Sequence, residues 1–277
     1  MTLPPAVERL IDLALDEDLG RGDATSEALV DAGARAGGAI VAKQALVLSG
    51  LDVAARVFER LECRATAQAS DGDAVKKGAL VMRVEGPARA VLGGERTALN
   101  FLQRLSGVAT LTRAYADAVA GTGAKVADTR KTTPGWRWLE KRAVRHGGGS
   151  NHRADLASGI LIKDNHVALY GVRGAVERAR KTAAHSLRVE VEVTRIDQID
   201  EALAARADVI LLDNMTRDQI TQSVAKIAKR AIVEVSGGVT LETIRSLAET
   251  GVDIISVGRL THSAPAVDLS LELDGSG

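Results

Sequence analysis

The segment Ala124-Lys125-Val126-Ala127-Asp128-Thr129-Arg130-Lys131 is a short apolar run that ends in polar and charged residues. The pattern it opens repeats to the end of the chain. Short β-branched runs follow at 159–163, 188–193, 208–212, 231–235 and 253–257. Amphipathic stretches at about 136–146, 172–184, 196–205, 217–229 and 240–250 separate them and read as helices. Strand–helix repetition predicts a parallel sheet with helical crossovers. With six strands, 124–128 being the first, the prediction is an open or incomplete α/β barrel, and an open doubly wound sheet is the alternative.

The first hundred residues read differently. Val7, Leu10, Ile11 and Leu15 recur at helical spacing, and the polar stretch 16–23 with two glycines reads as the end of that helix and a loop. Residues 39–48 read as a strand interrupted at Lys43-Gln44, Leu51 to Leu61 as a helix, and 71–86 as hairpins with glycine turns. Ala88 to Ala120 reads as one long helix, weakened at Gly93-Gly94 and Ser106-Gly107, that bridges two domains. On spacing alone, Arg96 in that helix is a solvated surface residue.

Composition narrows the function. The chain has 277 residues, 36 Lys or Arg against 36 Asp or Glu, and 2% aromatics. Zero net charge argues against a general nucleic-acid or membrane-surface role. The single Cys63 precludes an intramolecular disulfide and points to a reducing compartment. No signal-peptide pattern and no membrane-length apolar run is visible at the sequence level. The expectation is a cytoplasmic α/β protein.

The cations are locally concentrated. Residues 128–166 hold eight Lys or Arg against four Asp or Glu. Arg130-Lys131, His152-Arg153 and Lys163 each adjoin a strand-like run or a glycine-rich turn, an arrangement that converges on a ligand with several carboxylates or phosphates. Each predicted strand ends in a polar group: Asp128-Thr129-Arg130-Lys131, Lys163-Asp164, Glu192, Asp213-Asn214, Ser236-Gly237-Gly238 and Gly258. In α/β barrels the active site lies at that end. Glu192 and Asp213, facing several cations, make sense if Mg²⁺ travels with a diphosphate ligand. The glycines of the last two strands let backbone N–H groups approach an oxyanion. Singly, His152, Glu192 or the run Gly147-Gly148-Gly149-Ser150 reads as a surface histidine, an ion pair or a flexible loop; their common position favours a site.

These motifs resemble the quinolinate phosphoribosyltransferase family over nearly the whole chain. The resemblance rests on Asp128 to Gly135, Gly147 to Arg153 and Ile162 to His166. It extends to Glu17 to Asp23, Gly94-Glu95-Arg96, Leu105-Ser106-Gly107, Leu211 to Asn214, Glu234 to Gly238 and Val257 to Ser263. It implies a type II phosphoribosyltransferase-like fold: an N-terminal α/β sandwich domain, 1–112, and a C-terminal open α/β barrel, 113–277, whose last residues could pack back on the first domain. It implies transfer of a phosphoribosyl group from phosphoribosyl pyrophosphate to quinolinate, with loss of CO₂, in NAD synthesis. It also implies a homodimer with shared active sites, with assembly to a hexamer left open. The implied quinolinate ligands are Arg130, His152, Arg153 and, from the other subunit, Arg96. Lys131 and Lys163 would balance charge between quinolinate and pyrophosphate. Thr129, Ser236, Gly237, Gly238, Ser256, Val257, Gly258 and His262 would complete the phosphoribosyl site. Glu192 and Asp213 would hold Mg²⁺, and no organic cofactor would be needed. A sister family encoded with molybdate transporters, a nicotinate phosphoribosyltransferase and a non-catalytic phosphometabolite binder are the rival readings.

Overall fold

The structure is a computed structural model and describes residues 2–275. In chain order the first elements are helix α1 Pro5–Leu19, helix α2 Ala24–Leu29, strands β1 Arg35–Ala42 and β2 Leu46–Val47, helix α3 Leu51–Arg60, strands β3 Arg64–Ala67, β4 Ala74–Val75 and β5 Leu80–Pro87, and helix α4 Ala88–Ala118. Strand β6 Lys125–Ala127, helix α5 Arg137–His146, strand β7 Ile160–Ile162, helix α6 Asp164–Thr182, strand β8 Val189–Val193 and helix α7 Gln198–Ala204 follow. The chain closes with strand β9 Val209–Asp213, helix α8 Arg217–Ile227, strand β10 Ile232–Ser236, helix α9 Leu241–Ala248, strand β11 Ile254–Ser256, helix α10 Arg259–His262 and strand β12 Leu269–Leu273.

The described chain divides into two compact units. One comprises residues 1–113, 132–148 and 261–277; the other comprises 114–131 and 149–260. This division is not a single cut at residue 112, because the α5 segment and the C-terminal segment cluster with the N-terminal elements.

The first unit is built on an antiparallel sheet of order β12-β1-β5-β3. α1 begins with Pro at its first turn and buries Val7, Ile11 and Leu15, which recur every four residues on one face. The helix runs four residues beyond Leu15, into the stretch read as a loop. After the turn, Asp23 caps the unexpected α2 by accepting from Thr25 N (3.1 Å) and Ser26 N (3.0 Å). The interruption at Lys43-Gln44 separates β1 from β2, as read. The hairpin expected over 71–86 does not form: β4 pairs with β2, and β5 pairs with β1 and β3. β4 and β5 therefore serve different sheets, a non-local choice that turn residues cannot reveal. α4 is continuous through both suspected weak points. A Cβ at Gly107 would lie 2.1 Å from the Pro265 carbonyl oxygen, so that glycine marks close backbone packing and not a break.

The second unit is a six-stranded sheet of order β6-β11-β10-β9-β8-β7, with every pairing parallel. Strands β7 to β11 follow one another without a reversal of winding, and β6 returns to pair with β11. The sheet is thus an incomplete barrel, open between β6 and β7, and the doubly wound alternative is excluded because it requires a reversal. Ser150 occupies the remaining edge of β6: Ser150 N donates to Val126 O (2.8 Å) and Asp128 N donates to Ser150 O (3.1 Å).

The strand register explains the composition of the strands. Paired residues share a face. Val189, Val191, Val193, Ile210, Leu212, Val233, Val235 and Ile255 fall on one face and are all buried. Glu190, Glu192, Asp213, Glu234, Ser236 and Ser256 fall on the other. A parallel sheet with helical crossovers buries its apolar face under the helices, so the carboxylates and hydroxyls line the barrel interior toward its C-terminal end. α6 begins eight residues earlier than expected, because Lys163 and His166 form a capping box and the chain kinks at Gly171. Asp164, Asn165 and His166 form the first turn of that helix.

Candidate active site

The β6 end is organised by a buried carboxylate. Asp128 is fully buried. It accepts from Asn151 Nδ2 (2.6 Å) and from the His152 backbone N–H (2.9 Å). These bonds attach the segment after the glycine run to the strand that carries Thr129, Arg130 and Lys131. Thr129 Oγ1 accepts from Lys131 N (3.1 Å), shaping the turn after β6. The glycine run ends in an ordered bridge and not in the flexible loop its composition suggests.

His152 points into the barrel. Its Nε2 lies 3.2 Å from Glu190 Oε2 and 3.6 Å from Glu234 Oε1. Its Nδ1 accepts from Arg153 N (2.8 Å). Glu234 also accepts from Ser256 Oγ. Burial, and then the charge of Glu190, push the Glu234 carboxyl up to about 7, while His152 and the Ser256 hydroxyl oppose the shift. Arg153 donates through Nη1 to Gly159 O (3.0 Å), and its Nε is buried without a hydrogen-bond partner. Burial and then the neighbouring Arg130 lower the Arg153 pKa, and Glu190 opposes them. The Arg130 guanidinium lies near enough to oppose the charge of Arg153, an arrangement that suits an anionic partner.

Lys163 follows β7 and donates to Glu192 Oε2 on β8 (2.9 Å). Asp213 ends β9, and its Oδ2 accepts from Asn214 Nδ2 (2.7 Å). Asn214 adopts a left-handed conformation (φ 52°), and its N–H donates to Ser236 O (3.1 Å). Gly237 follows at φ 101°, and a Cβ there would lie 2.2 Å from Asn214 Oδ1. The β9 and β10 ends therefore interlock, and only glycine fits at 237. Ser256 ends β11 and Val257 follows it, with Val257 N donating to Ala127 O (2.9 Å); Gly258 leads into α10.

The second unit therefore gathers Thr129, Arg130, Lys131, His152, Arg153, Lys163, Glu192, Asp213, Ser236, Gly237, Gly238, Ser256, Val257 and Gly258 at the C-terminal end of its strands or in the loops that follow them. Arg96 and His262 belong to the first unit. Arg96 is an exposed residue of α4, and His262 ends α10 with its Nδ1 at Ser263 Oγ. Sequence reasoning assigned no role to Glu190 or Glu234, and named Asp128 only as a polar group at a strand end. An alternating Val-Glu-Val-Glu-Val strand was the available signal for Glu190, since its period places both glutamates on one face. His152, Glu190 and Glu234 offer ligand atoms within 4.8 Å of one another, a grouping distinct from the expected metal pair.

Glu192 and Asp213 meet the first requirement for Mg²⁺: two carboxylates on adjacent strands, facing one way, with oxygen donors only. Each also has one oxygen engaged by a neighbour, at Lys163 or Asn214. The donor set fits a cation carried mainly by a phosphate ligand.

Family models described as the N-terminal and C-terminal domains of quinolinate phosphoribosyl transferase match residues 23–106 and 108–272. The chain is 43% identical over 276 residues to the nicotinate-nucleotide pyrophosphorylase [carboxylating] of Mycobacterium leprae, covering 97% of each chain. It is 41% identical over 271 residues to a probable nicotinate-nucleotide pyrophosphorylase [carboxylating] of Bacillus subtilis, covering 96% of this chain and 93% of that one. Among solved structures, NadC from Streptococcus pyogenes is similar with a TM-score of 0.94 and 42% identity, covering 99% of each chain.

Proposed function

Because the chain belongs to the quinolinate phosphoribosyl transferase family, we propose that it transfers the phosphoribosyl group of phosphoribosyl pyrophosphate to quinolinate, releasing pyrophosphate and CO₂ and giving nicotinate mononucleotide. The observation that carries this reading is the sorting of charge around the barrel rim. Arginines cluster at the β6 end, a lysine–carboxylate pair joins β7 to β8, a carboxylate ends β9, and glycine turns follow β10 and β11.

Quinolinate carries two adjacent carboxylates, which suit the forks of Arg130 and Arg153. Lys131 and Lys163 balance charge where the carboxylates and the departing pyrophosphate approach one another. Thr129, Ser236, Gly237, Gly238, Ser256, Val257 and Gly258 contribute hydroxyls and backbone N–H groups to the phosphoribosyl group. Glu192 and Asp213 would hold Mg²⁺, which when bound neutralises diphosphate charge. The same carboxylates stabilise positive charge developing at the ribose carbon. The ring nitrogen forms a bond to that carbon as the carbon–oxygen bond to pyrophosphate breaks. The 2-carboxylate then leaves as CO₂, its bonding pair passing into the ring beside the quaternised nitrogen, and C2 takes up one proton. The substrate is its own electron sink, so the reading needs no organic cofactor. Positioning and preorganised charge are the enzyme's contribution.

The reading extends to a homodimer in which Arg96 of one copy reaches the site of another, and to a cytoplasmic location. No helix among the described residues is long and apolar enough to cross a membrane. Phosphorus NMR of the protein with Mg²⁺, phosphoribosyl pyrophosphate and quinolinate tests the reaction. A new 5′-phosphate resonance of nicotinate mononucleotide is expected, and no turnover of quinolinate would refute the reading.

A further inference from the structure

The two carboxylates that meet the requirement for Mg²⁺ are held in different ways. Glu192 has a cation beside it, with Lys163 Nζ 2.9 Å from its Oε2. Asp213 has a neutral partner: the side-chain amide of Asn214 donates through Nδ2 to Oδ2 at 2.7 Å. Among the described residues no Lys, Arg or His forms an ion pair with Asp213. A lysine competes with an incoming cation for the carboxylate it holds. A neutral amide fixes the direction of a carboxylate without cancelling its charge.

The Asn214 backbone is pinned on both sides. Its N–H donates to Ser236 O at 3.1 Å, which extends the β9–β10 pairing past Asp213. Two residues on, Thr216 starts α8 with a capping box to Gln219. Between these anchors Asn214 takes φ 52°, a left-handed conformation that asparagine tolerates and that glycine adopts at no steric cost. Glycine would therefore satisfy the backbone here, and asparagine adds an amide. Gly237 gives that amide its room: a Cβ at 237 would lie 2.2 Å from Asn214 Oδ1 and 2.8 Å from its Cγ. The amide is set against the glycine turn of β10 on one side and donates to the carboxylate of β9 on the other.

We propose that Asn214 is a positioning residue whose side-chain amide orients the Asp213 carboxylate toward the cation that accompanies phosphoribosyl pyrophosphate. The proposal rests on the reading of Asp213 as a Mg²⁺ ligand. Asn214 acts through Asp213 alone, and Gly237 is required because any larger residue would push the amide away from it.

Calorimetric binding of phosphoribosyl pyrophosphate over a series of Mg²⁺ concentrations reads this role. Asn214→Gly keeps the left-handed backbone and removes the amide. It is expected to weaken Mg²⁺-dependent binding about tenfold, the size of one hydrogen bond to a charged group. Metal-free binding should change less than about twofold, and the melting temperature by less than about 2 °C. Equal weakening with and without Mg²⁺ would make the amide a part of the phosphate turn and overturns the proposal. In an Asp213→Asn background, Asn214→Gly is expected to have no further effect, because a group that acts through a carboxylate loses its role with it. In a Glu192→Gln background the loss of about tenfold should persist. The same loss in all three backgrounds overturns the proposal. If the wild type binds no phosphoribosyl pyrophosphate, or Asp213→Asn leaves its Mg²⁺ dependence intact, the underlying reading of the site fails. Nitrogen NMR of the Asn214 side-chain amide, assigned from the spectrum of Asn214→Gly, separates the two failures. That signal should shift in Asp213→Asn and hold in Glu192→Gln, and a signal indifferent to Asp213→Asn overturns the orienting bond itself.

Discussion

Replacing Glu140 with Ala tests how the first unit holds the segment that follows the catalytic lysine candidate Lys131. Glu140 is fully buried on α5 and accepts from Arg104 Nη2 (2.8 Å) and Nε (3.3 Å), and from Thr133 N (3.0 Å) and Oγ1 (2.9 Å). Removing one partner of a buried ion pair costs about 3–5 kcal/mol, because the other charge is stranded. Arg104 keeps its bonds to Ala264 O and Thr261 O, and its side chain is 25% exposed. The lower end, about 3 kcal/mol, is therefore expected for Glu140→Ala, equivalent to a fall in Tm of about 10 °C in a protein of this size. Arg104→Ala should cost more, about 4–5 kcal/mol, since the stranded Glu140 side chain is 0% exposed. Guanidinium unfolding followed by tryptophan fluorescence suits the measurement. The chain's two tryptophans are Trp136, stacked on Phe101 at 4.6 Å, and Trp138, beneath Arg142 at 4.9 Å, both within four residues of Glu140. A Glu140→Ala protein within about 0.5 kcal/mol of wild type, or an Arg104→Ala protein more stable than it, would refute the reasoning.

Three further outcomes are expected. Arg153→Ala or Arg130→Ala weakens quinolinate binding by about 2–5 kcal/mol; calorimetric dissociation constants within a factor of two of wild type would contradict the assignment. Glu234 has a folded-state pKa raised from 4.5 to about 7. Its contribution to stability is therefore full below its unfolded pKa and is lost as pH rises through about 7, by up to about 3 kcal/mol. Glu234→Gln should remove that dependence, gaining on wild type between pH 5 and pH 8; parallel stability–pH curves would count against it. Gly237→Ala forces a Cβ to 2.2 Å from Asn214 Oδ1 at φ 101° and should destabilise by about 1–3 kcal/mol while raising KM for phosphoribosyl pyrophosphate; an unchanged unfolding midpoint and KM would argue against the interlock.

The second unit was largely legible in the sequence because its strands announce themselves twice. Their apolar residues alternate with Glu190, Glu192 and Glu234, and their C-terminal ends carry Arg130, Lys163, Asp213 and Gly237, so period and position agree. The first unit was less legible. The pairing of β4 with β2 and of β5 with β1 and β3 is non-local, and no turn residue encodes it. α2 depends on one capping residue, Asp23. Gly107 looked like a helix weakness because its reason, the Pro265 carbonyl, lies far along the chain. Within the site, the approach of Glu190 and Glu234 to His152 Nε2, at 3.2 and 3.6 Å, was not legible, because it arises only when β8 and β10 are brought under the β6 end.

The most direct measurement is product stoichiometry. The protein is given Mg²⁺ and phosphoribosyl pyrophosphate with either quinolinate or nicotinate, and CO₂ and pyrophosphate are measured together. Equal release of both with quinolinate, and neither with nicotinate, is the predicted result. Pyrophosphate release with nicotinate, or silence with quinolinate, would contradict the central claim that two convergent arginines select a dicarboxylate for phosphoribosylation.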